Sequence, residues 1–268
     1  MSLHPALLPT GREPRPAGAV PIGEPNERSL RPPAGREGQL GRAVPIGELN
    51  ERSLHRALKA RYAVGGGATE QAVDGFVADV VAGGRIVEVH TGSFRPLKRK
   101  LPRLLERYPV TLAHPVARDR YIVKVPADPS APPSRRKSPK HGSVFEVFTA
   151  LVSIPALLAH PNLTLEVVMT VEDEVRAKNG RGSWRRRGWA ILDRRLVDVV
   201  EIHAIRSMSD LFALLAADLP ERFTTRDLAA AMGSPRRLGE LAAFCFREGG
   251  VSEVCGKEGN ALVSRRVD

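Results

Sequence analysis

Asp79, Glu88 and His90 are the residues of this chain whose types and spacing point most directly to chemistry. They lie in the stretch Val73 to Gly92, V-D-G-F-V-A-D-V-V-A-G-G-R-I-V-E-V-H-T-G, where two runs rich in Val, Ile and Phe flank Gly83-Gly84. A Gly-Gly pair between β-rich runs predicts a two-residue hairpin turn. With Ala82 facing Arg85, Val81 faces Ile86, Val80 faces Val87, and Asp79 falls opposite Glu88. Like charges directly across an antiparallel pair are destabilising, and an ionised carboxylate among apolar neighbours is costly unless something neutralises it. A hard divalent cation held by oxygen ligands, Mg²⁺ or Mn²⁺ on Asp79 and Glu88, answers both requirements and brings the ability to activate water. His90 lies two residues beyond Glu88, so strand alternation puts it on the face of both acids. On these residues alone the alternative is a solvent-facing acid pair on an edge hairpin.

The elements that must position these groups follow from the flanking pattern. Leu54, Ala57, Leu58, Arg61 and Tyr62 give the spacing of an amphipathic helix over roughly Leu49 to Tyr62, with Glu51 one turn before Leu54 on the edge of the buried stripe. Gly65-Gly66-Gly67 ends it. After the hairpin, Ser93 is an N-cap and Pro96 falls in the first turn of a second helix. Its stripe is Leu97, Leu101, Leu104, Leu105 and Tyr108, flanked by Lys98 and Lys100, with Arg99 and Arg103 pointing away. Pro109 to Pro115 and Arg120 to Val125 read as two further strands. The order after the first helix is then β-β-α-β-β. Asp74 is a second candidate acid, but its odd spacing from Asp79 puts it on the other strand face, with Ser93 as its hairpin partner.

Glu51 on a preceding helix, Asp79 on one strand and Glu88-x-His90 on its partner resemble the PD-(D/E)XK nuclease superfamily over about residues 46 to 125. The resemblance implies a restriction-endonuclease-like mixed sheet flanked by helices. It also implies that Asp79 and Glu88 bind Mg²⁺, that Glu51 assists, and that a lysine two residues after the glutamate orients the attacking water. Here that position is His90. Some members recruit the lysine from a nearby helix, and Lys98 is the first choice, with Lys100 the second. The stretch I-V-E-V-H-T-G-S-F-R-P-L-K-R-K-L, with L-L-A-H-P-N-L-T-L-E-V and W-R-R-R-G-W further on, is similar to an uncharacterised prokaryotic group within that superfamily.

The rest of the chain sets the context. Its 268 residues, 42% hydrophobic, suffice for one large or two modest domains. Residues 1–42 are dense in Pro and Gly and read as a disordered extension. Ala19 to Leu30 recurs as Ala43 to Leu54 with one substitution, which reads as a short tandem duplication, or an over-extended start, upstream of a domain beginning near Val44. Residues 43–125 form the nuclease-like core, 126–142 a basic Pro/Ser linker or loop, and 143–206 an α/β extension. That extension is expected to hold an apolar helix near Val144 to Leu158, a strand over Leu163 to Val171, an acidic patch Glu172-Asp173-Glu174, and a strand or helix from Ala190 to Ile202. Residues 207–268 resemble a winged helix-turn-helix, with helices at Ser209 to Leu219, Arg226 to Met232 and after Ser234-Pro235, then a terminal hairpin.

The net charge of +11 points to polyanionic partners or to a basic solvated surface. It is concentrated where residues 95–142 hold 13 Lys+Arg against 3 Asp+Glu, and residues 176–195 hold 8 against 1, whereas 207–268 hold 8 against 9. The candidate nucleic-acid contacts are Lys100, Arg99 and Arg103, then Arg185, Arg186 and Arg187 beside Trp184 and Trp189, then Arg236 and Arg237 on the last helix. Two cysteines, Cys245 and Cys255, suggest a reducing compartment rather than a disulfide framework. The longest apolar run, Thr149 to Ala159, is too short to span a bilayer. The expectation is a cytoplasmic, metal-dependent DNA endonuclease-like protein, with RNA as the other substrate and a homodimer as an allowed assembly. The alternatives are a catalytically inactive nucleic-acid-binding protein and a winged-helix transcriptional regulator.

Overall fold

A computed structural model describes residues 52–128, 130–180, 182–215 and 219–267, with the side chain of Arg185 excepted. The duplicated segment, the 1–42 extension and Glu51 lie outside the described residues. The fold is mixed α/β, a large mixed sheet flanked by helices. Helix α1 (Ser53–Ala63) leads into β1 (Ala68–Val73), β2 (Phe76–Ala82) and β3 (Arg85–Val89). A 3-10 turn at Arg95–Lys98 and helix α2 (Lys100–Leu105) then carry the chain to β4 (Val110–Val125). Next come β5 (Ser134–His141), a short α3 (Phe148–Leu151), β6 (Leu163–Ala177) and β7 (Ala190–Ile205). The sheet order is β1-β2-β3-β4-β6-β7, with β5 also paired to β4. β4 runs parallel to both β3 and β6, and the other pairings are antiparallel.

The hairpin register is the one expected from the sequence: Ala82 pairs with Arg85, Val81 with Ile86 and Val80 with Val87. Gly83 and Gly84 both have positive φ, 57° and 75°, as a tight primed turn demands. α1 lays Leu54 and Leu58 on one sheet face against Val80, Val87, Val89, Ala113 and Val168. The first turn of α1 has no side-chain cap of its own, and Ser53 Oγ instead donates to Asp193 of β7 at 2.7 Å. The opposite face carries the main core, where Leu101, Leu104 and Leu105 of α2 and Phe148 and Leu151 of α3 cover Ile86, Leu112, Leu165 and Val167.

Several expected elements differ. Residues 126–142 are not simply a linker, because Ser134–His141 pairs antiparallel with the second half of β4. An exposed strand of Ser, Arg, Lys, His and one Pro has no alternating apolar signal to reveal it. The two strands expected at 109–115 and 120–125 are one 16-residue strand, with a bulge between Ala117 and Asp119. The helix expected over 144–158 is broken into Val144–Val147, α3 and Pro155–Ala159, the last break set by Pro155. β6 continues past Val171 to Ala177, so Glu172 and Glu174 lie within a strand and are buried. β1 was not anticipated, and its A-T-E-Q-A-V sequence is almost wholly exposed.

The C-terminal residues form α4 (Met208–Ala213), β8 (Arg222–Phe223), α5 (Thr225–Ala231), α6 (Arg236–Glu248), β9 (Ser252–Glu258) and β10 (Ala261–Arg266). The three strands pair in the order β8-β10-β9. Capping boxes at Ser207/Asp210 and Thr224/Asp227 start α4 and α5, and each satisfies two helix-end groups reciprocally. α4 is shorter than the Ser209 to Leu219 expected. The C-terminal core is continuous with that of the sheet: Phe246 meets Phe148 of α3 at 5.2 Å and Phe212 at 5.0 Å, both edge to face. Both cysteines are free thiols, Cys245 buried and Cys255 exposed. Among the described residues no helix is long and apolar enough to cross a membrane.

Candidate active site

β2 and β3 separate where the candidate acids sit. The ladder stops at Val80 and Val87, and the next residue, Asp79, turns its carboxylate to accept the Val89 amide at 2.9 Å. The side chain thus takes a backbone acceptor's place, and Asp79, Glu88 and His90 come together where the β2–β3 ladder ends. Two residues of α1 reach in from above. His55 Nε2 donates to the Val89 carbonyl at 2.9 Å and lies 3.4 Å from Asp79 Oδ2, while Lys59 Nζ lies 4.0 Å from Asp79 Oδ1 and pairs with Glu70.

Glu70 deepens the acidic row. In β1, Thr69 pairs with Val80 and Gln71 with Ala78, so Glu70 stands across from Asp79, with Glu88 on the far side. Glu70 has φ of 52°, a left-handed conformation that a non-glycine residue adopts at a cost. Three carboxylates on successive strands therefore meet two lysines.

The lysine at Glu88 is Lys100. Its ammonium donates to Glu88 Oε2 at 2.6 Å and to the Val77 carbonyl at 2.5 Å. Lys98, the first choice from sequence, is exposed and makes no hydrogen bond or ion pair among the described residues. The reason is geometric. Residues 95–98 form a 3-10 turn and α2 starts only at Lys100, so an α-helical wheel begun at Ser93 misplaces both lysines. For the same reason Lys100, half-buried on Glu88, is not a free phosphate contact, whereas Arg99 and Arg103 are exposed as expected.

The two acids are driven apart electrostatically. Burial pushes both carboxyls up, but at Asp79 the hydrogen bonds from His55 and the Val89 amide, with the charges of His55 and Lys59, outweigh it and hold the group below the ordinary range. At Glu88 burial dominates, and the nearby Asp79 charge adds to it. Lys100 offsets only part, so the carboxyl stays above its ordinary value. His90 shares the cleft as expected. Burial lowers its pKa, and its Nε2–H donates to the Ser93 carbonyl at 2.8 Å, leaving Nδ1 as an acceptor. His114 Nδ1–H in turn donates to the His90 carbonyl at 2.7 Å, and burial holds that imidazole neutral with a pKa of about 4.

One atom of the donor set calls for a cation. Glu88 Oε1 is buried without a hydrogen-bond partner, beside Asp79. An orphaned carboxylate oxygen is costly, and a cation would satisfy it. No cluster of three or more His, Cys, Asp and Glu able to hold a metal occurs among the described residues. Two carboxylates suit Mg²⁺, which keeps several waters and takes few protein ligands.

The other candidates are dispersed. Asp74 is in a turn with φ of 48° and pairs with Arg107 at 3.1 Å, not with Ser93. Arg186 Nε is spent on the Trp189 carbonyl at 3.1 Å, and Arg187 is exposed. Trp189 receives Lys124 at 4.9 Å and Lys178 at 5.7 Å over its ring, so it anchors the loop. Arg236 and Arg237 are exposed on α6, Arg236 paired with Glu240 at 3.2 Å. Sequence reasoning missed His55, Lys59, Glu70 and His114. His55 and Lys59 stand four apart on α1, each one residue after a stripe leucine, and that spacing was the available signal.

The family described as Domain of unknown function (DUF8091) matches residues 52–206, which include each cleft residue named from the structure. An uncharacterized protein of Treponema pallidum (strain Nichols) is 35% identical over 176 residues, covering 65% of this chain and 70% of that protein. No solved structure matches the chain.

Proposed function

This chain belongs to the DUF8091 family, whose matched span encloses Asp79, Glu88, His90 and Lys100, and we propose that the domain is a divalent-metal-dependent nuclease hydrolysing phosphodiester bonds in DNA. The observation that carries the reading is Lys100. A lysine delivered from α2 to the buried Glu88, with Asp79 on the neighbouring strand, supplies the cation that His90 does not. The order α1-β1-β2-β3-α2-β4, with the acids on β2 and β3, resembles the PD-(D/E)XK nuclease arrangement and supports the same conclusion.

Each group has a role set by its surroundings. Asp79 and Glu88 would hold Mg²⁺ or Mn²⁺, which supplies a low-pKa water and neutralises phosphate charge. Asp79, held below the ordinary carboxylate range by His55, the Val89 amide and Lys59, is ionised at neutral pH. Lys100, fixed by Glu88 and the Val77 carbonyl, holds its ammonium where it orients an attacking water and stabilises negative charge that develops on the phosphate. His90, neutral with Nδ1 open, can accept a proton from that water. His55 braces the end of β3 through Val89. The exposed Arg99 and Arg103, which flank Lys100 in sequence, and Arg136 and Lys140 on the edge strand β5, offer phosphate contacts that position the backbone without reading sequence.

The C-terminal order α4-β8-α5-α6-β9-β10 with sheet order β8-β10-β9 resembles a winged helix. Its α6 buries Leu238, Ala242, Cys245 and Phe246, part of this face on α3. That supports a packing role over groove reading for this segment. The test is nicking of supercoiled plasmid and cleavage of single-stranded DNA and RNA with Mg²⁺ or Mn²⁺. Wild type should cleave, and Asp79→Ala and Glu88→Ala should not. A folded wild type with no metal-dependent cleavage of any of the three would overturn the proposal.

A further inference from the structure

The turn that joins β6 to β7 carries a charge pattern that the hydrolytic reading leaves unused. From Lys178 to Leu192 the sequence holds five Lys+Arg, both tryptophans of the chain and no Asp or Glu. The segment is a folded turn, not a slack connection. Trp184–Arg186 form a 3-10 turn, and the amides of Arg186 and Gly188 donate to the Ser183 carbonyl at 3.0 and 3.1 Å. Arg187 and Gly188 take positive φ, 51° and 78°. Gly182 passes so close to Gly188 that a Cβ there would lie 1.8 Å from the Gly188 carbonyl oxygen. Trp189 lies half-buried beneath Lys124 and Lys178, whereas Trp184 is 82% exposed. One indole anchors the turn and the other is presented to solvent.

The positive charge continues from the turn onto the sheet. Alternate residues of a strand share a face, so Arg120, Ile122 and Lys124 of β4 lie together. The register adds Arg136 of β5 opposite Ile122, Glu172, Glu174 and Arg176 of β6, and Arg194 of β7 opposite Glu174. Arg120, Arg176 and Arg194 are paired with Glu172 and Glu174. Lys124 and Arg136 have no carboxylate partner among the described residues, and Arg136, Lys178 and Arg187 are exposed. This surface is separate from the carboxylate pair. The His90 amide donates to Ala113 of β4, while the turn begins beyond Val125, which pairs with Ala177 at the far end of the same strand. At about 3.3 Å per residue the two places are about 40 Å apart.

We infer that the β6–β7 turn and the adjoining sheet face bind single-stranded nucleic acid, with an unpaired base stacked on Trp184 and backbone phosphates on Lys178, Arg187 and Arg136. A row of cations beside an exposed aromatic ring is how strands are held without sequence readout, and only an unpaired base offers its face to an indole. A bilayer interface also takes tryptophan and arginine. Here, however, Trp184 is the one large apolar side chain exposed between Lys178 and Ile191 among the described residues. The cations run back along the sheet instead of sharing the ring's depth, which suits a linear polyanion. The inference goes beyond the hydrolytic reading and stands without it, since this surface holds a strand whether or not the carboxylate pair cuts one.

Binding is measured on the full chain in EDTA, by anisotropy of labelled oligothymidylate, oligouridylate and a DNA duplex. Sedimentation with vesicles of phosphatidylglycerol and phosphatidylcholine forms a further arm. Trp184→Ala should weaken binding of the single strands about tenfold, Trp184→Phe should restore most of it, and neither should alter duplex binding. Lys178→Gln combined with Arg187→Gly should lower the slope of log K against log salt by about 1.4, the value of two single-strand phosphate contacts. The tighter of the two single strands identifies the partner as DNA or RNA. Single-strand affinity unchanged in Trp184→Ala, an equal loss on the duplex, or binding to vesicles without binding to either oligonucleotide overturns the inference. Because the assay holds no free metal, a failure of the nuclease reading shows separately, as Trp184-dependent binding without metal-dependent cleavage.

Discussion

Replacing Lys100 by Met keeps most of its volume and removes its charge, leaving Glu88 without the cation that faces it. Glu88 has a side chain 5% exposed and Lys100 one 17% exposed, with 2.6 Å between them. Removing one partner of a buried pair strands the other charge, at a cost of about 3–5 kcal/mol. Because Lys100 keeps some solvent contact, about 3 kcal/mol is expected. The assay is urea unfolding of wild type, Lys100→Met, Glu88→Gln and the double variant. Glu88→Gln should cost less than Lys100→Met, since burial already holds that carboxyl above its ordinary value and ionising it works against folding. In the double variant, most of the Lys100→Met penalty should vanish, a coupling of roughly 2 kcal/mol. The pH dependence has a definite sign. A carboxyl raised in the folded state favours folding as pH falls from above its folded value toward the 4.5 of an ordinary glutamate. The Lys100→Met penalty should therefore shrink on acidification. A Lys100→Met cost under about 0.5 kcal/mol, additive with Glu88→Gln, would refute the pairing and the role built on it.

Further outcomes follow from the same geometry. Lys98→Met, at an exposed position, should change unfolding by less than about 0.5 kcal/mol and leave cleavage intact. Divalent-ion binding, followed by calorimetry against pH, should weaken on the acid side with a midpoint above 4.5, because Glu88 must lose its proton first. Asp79 contributes the reverse: its depressed carboxyl stabilises the fold above 3.8 and loses that contribution as pH falls through its folded value, so Asp79→Asn should flatten the acid limb of the stability profile. Gly239→Ala would set a Cβ 2.2 Å from the Thr225 carbonyl, prising α5 from α6 at a cost of about 1–3 kcal/mol in thermal unfolding.

The hairpin was legible because its determinants are local. A Gly-Gly turn fixes the register, and the alternation of Val and Ile does the rest, so Val80 against Val87 could be read directly. Asp79 escaped in part: the register places it opposite Glu88, but nothing in the sequence shows its carboxylate replacing a backbone acceptor at Val89. The long strands were harder. β5 has no apolar alternation and rests its Lys137 on Asp119 of β4, and β6 carries Glu172 and Glu174 in its interior because Arg120 and Arg194, far along the chain, face them there. Lys100 was misjudged against Lys98 because a single 3-10 turn shifts the helical phase. His55 and His114 were invisible for the same long-range reason, since each is defined by a backbone carbonyl on β3 or just past it.

The proposed function requires that a divalent ion be held between Asp79 and Glu88. Electron paramagnetic resonance of Mn²⁺ titrated into the purified chain measures this without reference to any substrate. The expected result is saturable binding to wild type and to Lys98→Met, lost in both Asp79→Asn and Glu88→Gln while each variant remains folded. Binding unchanged in both variants, or absent from folded wild type, would contradict it.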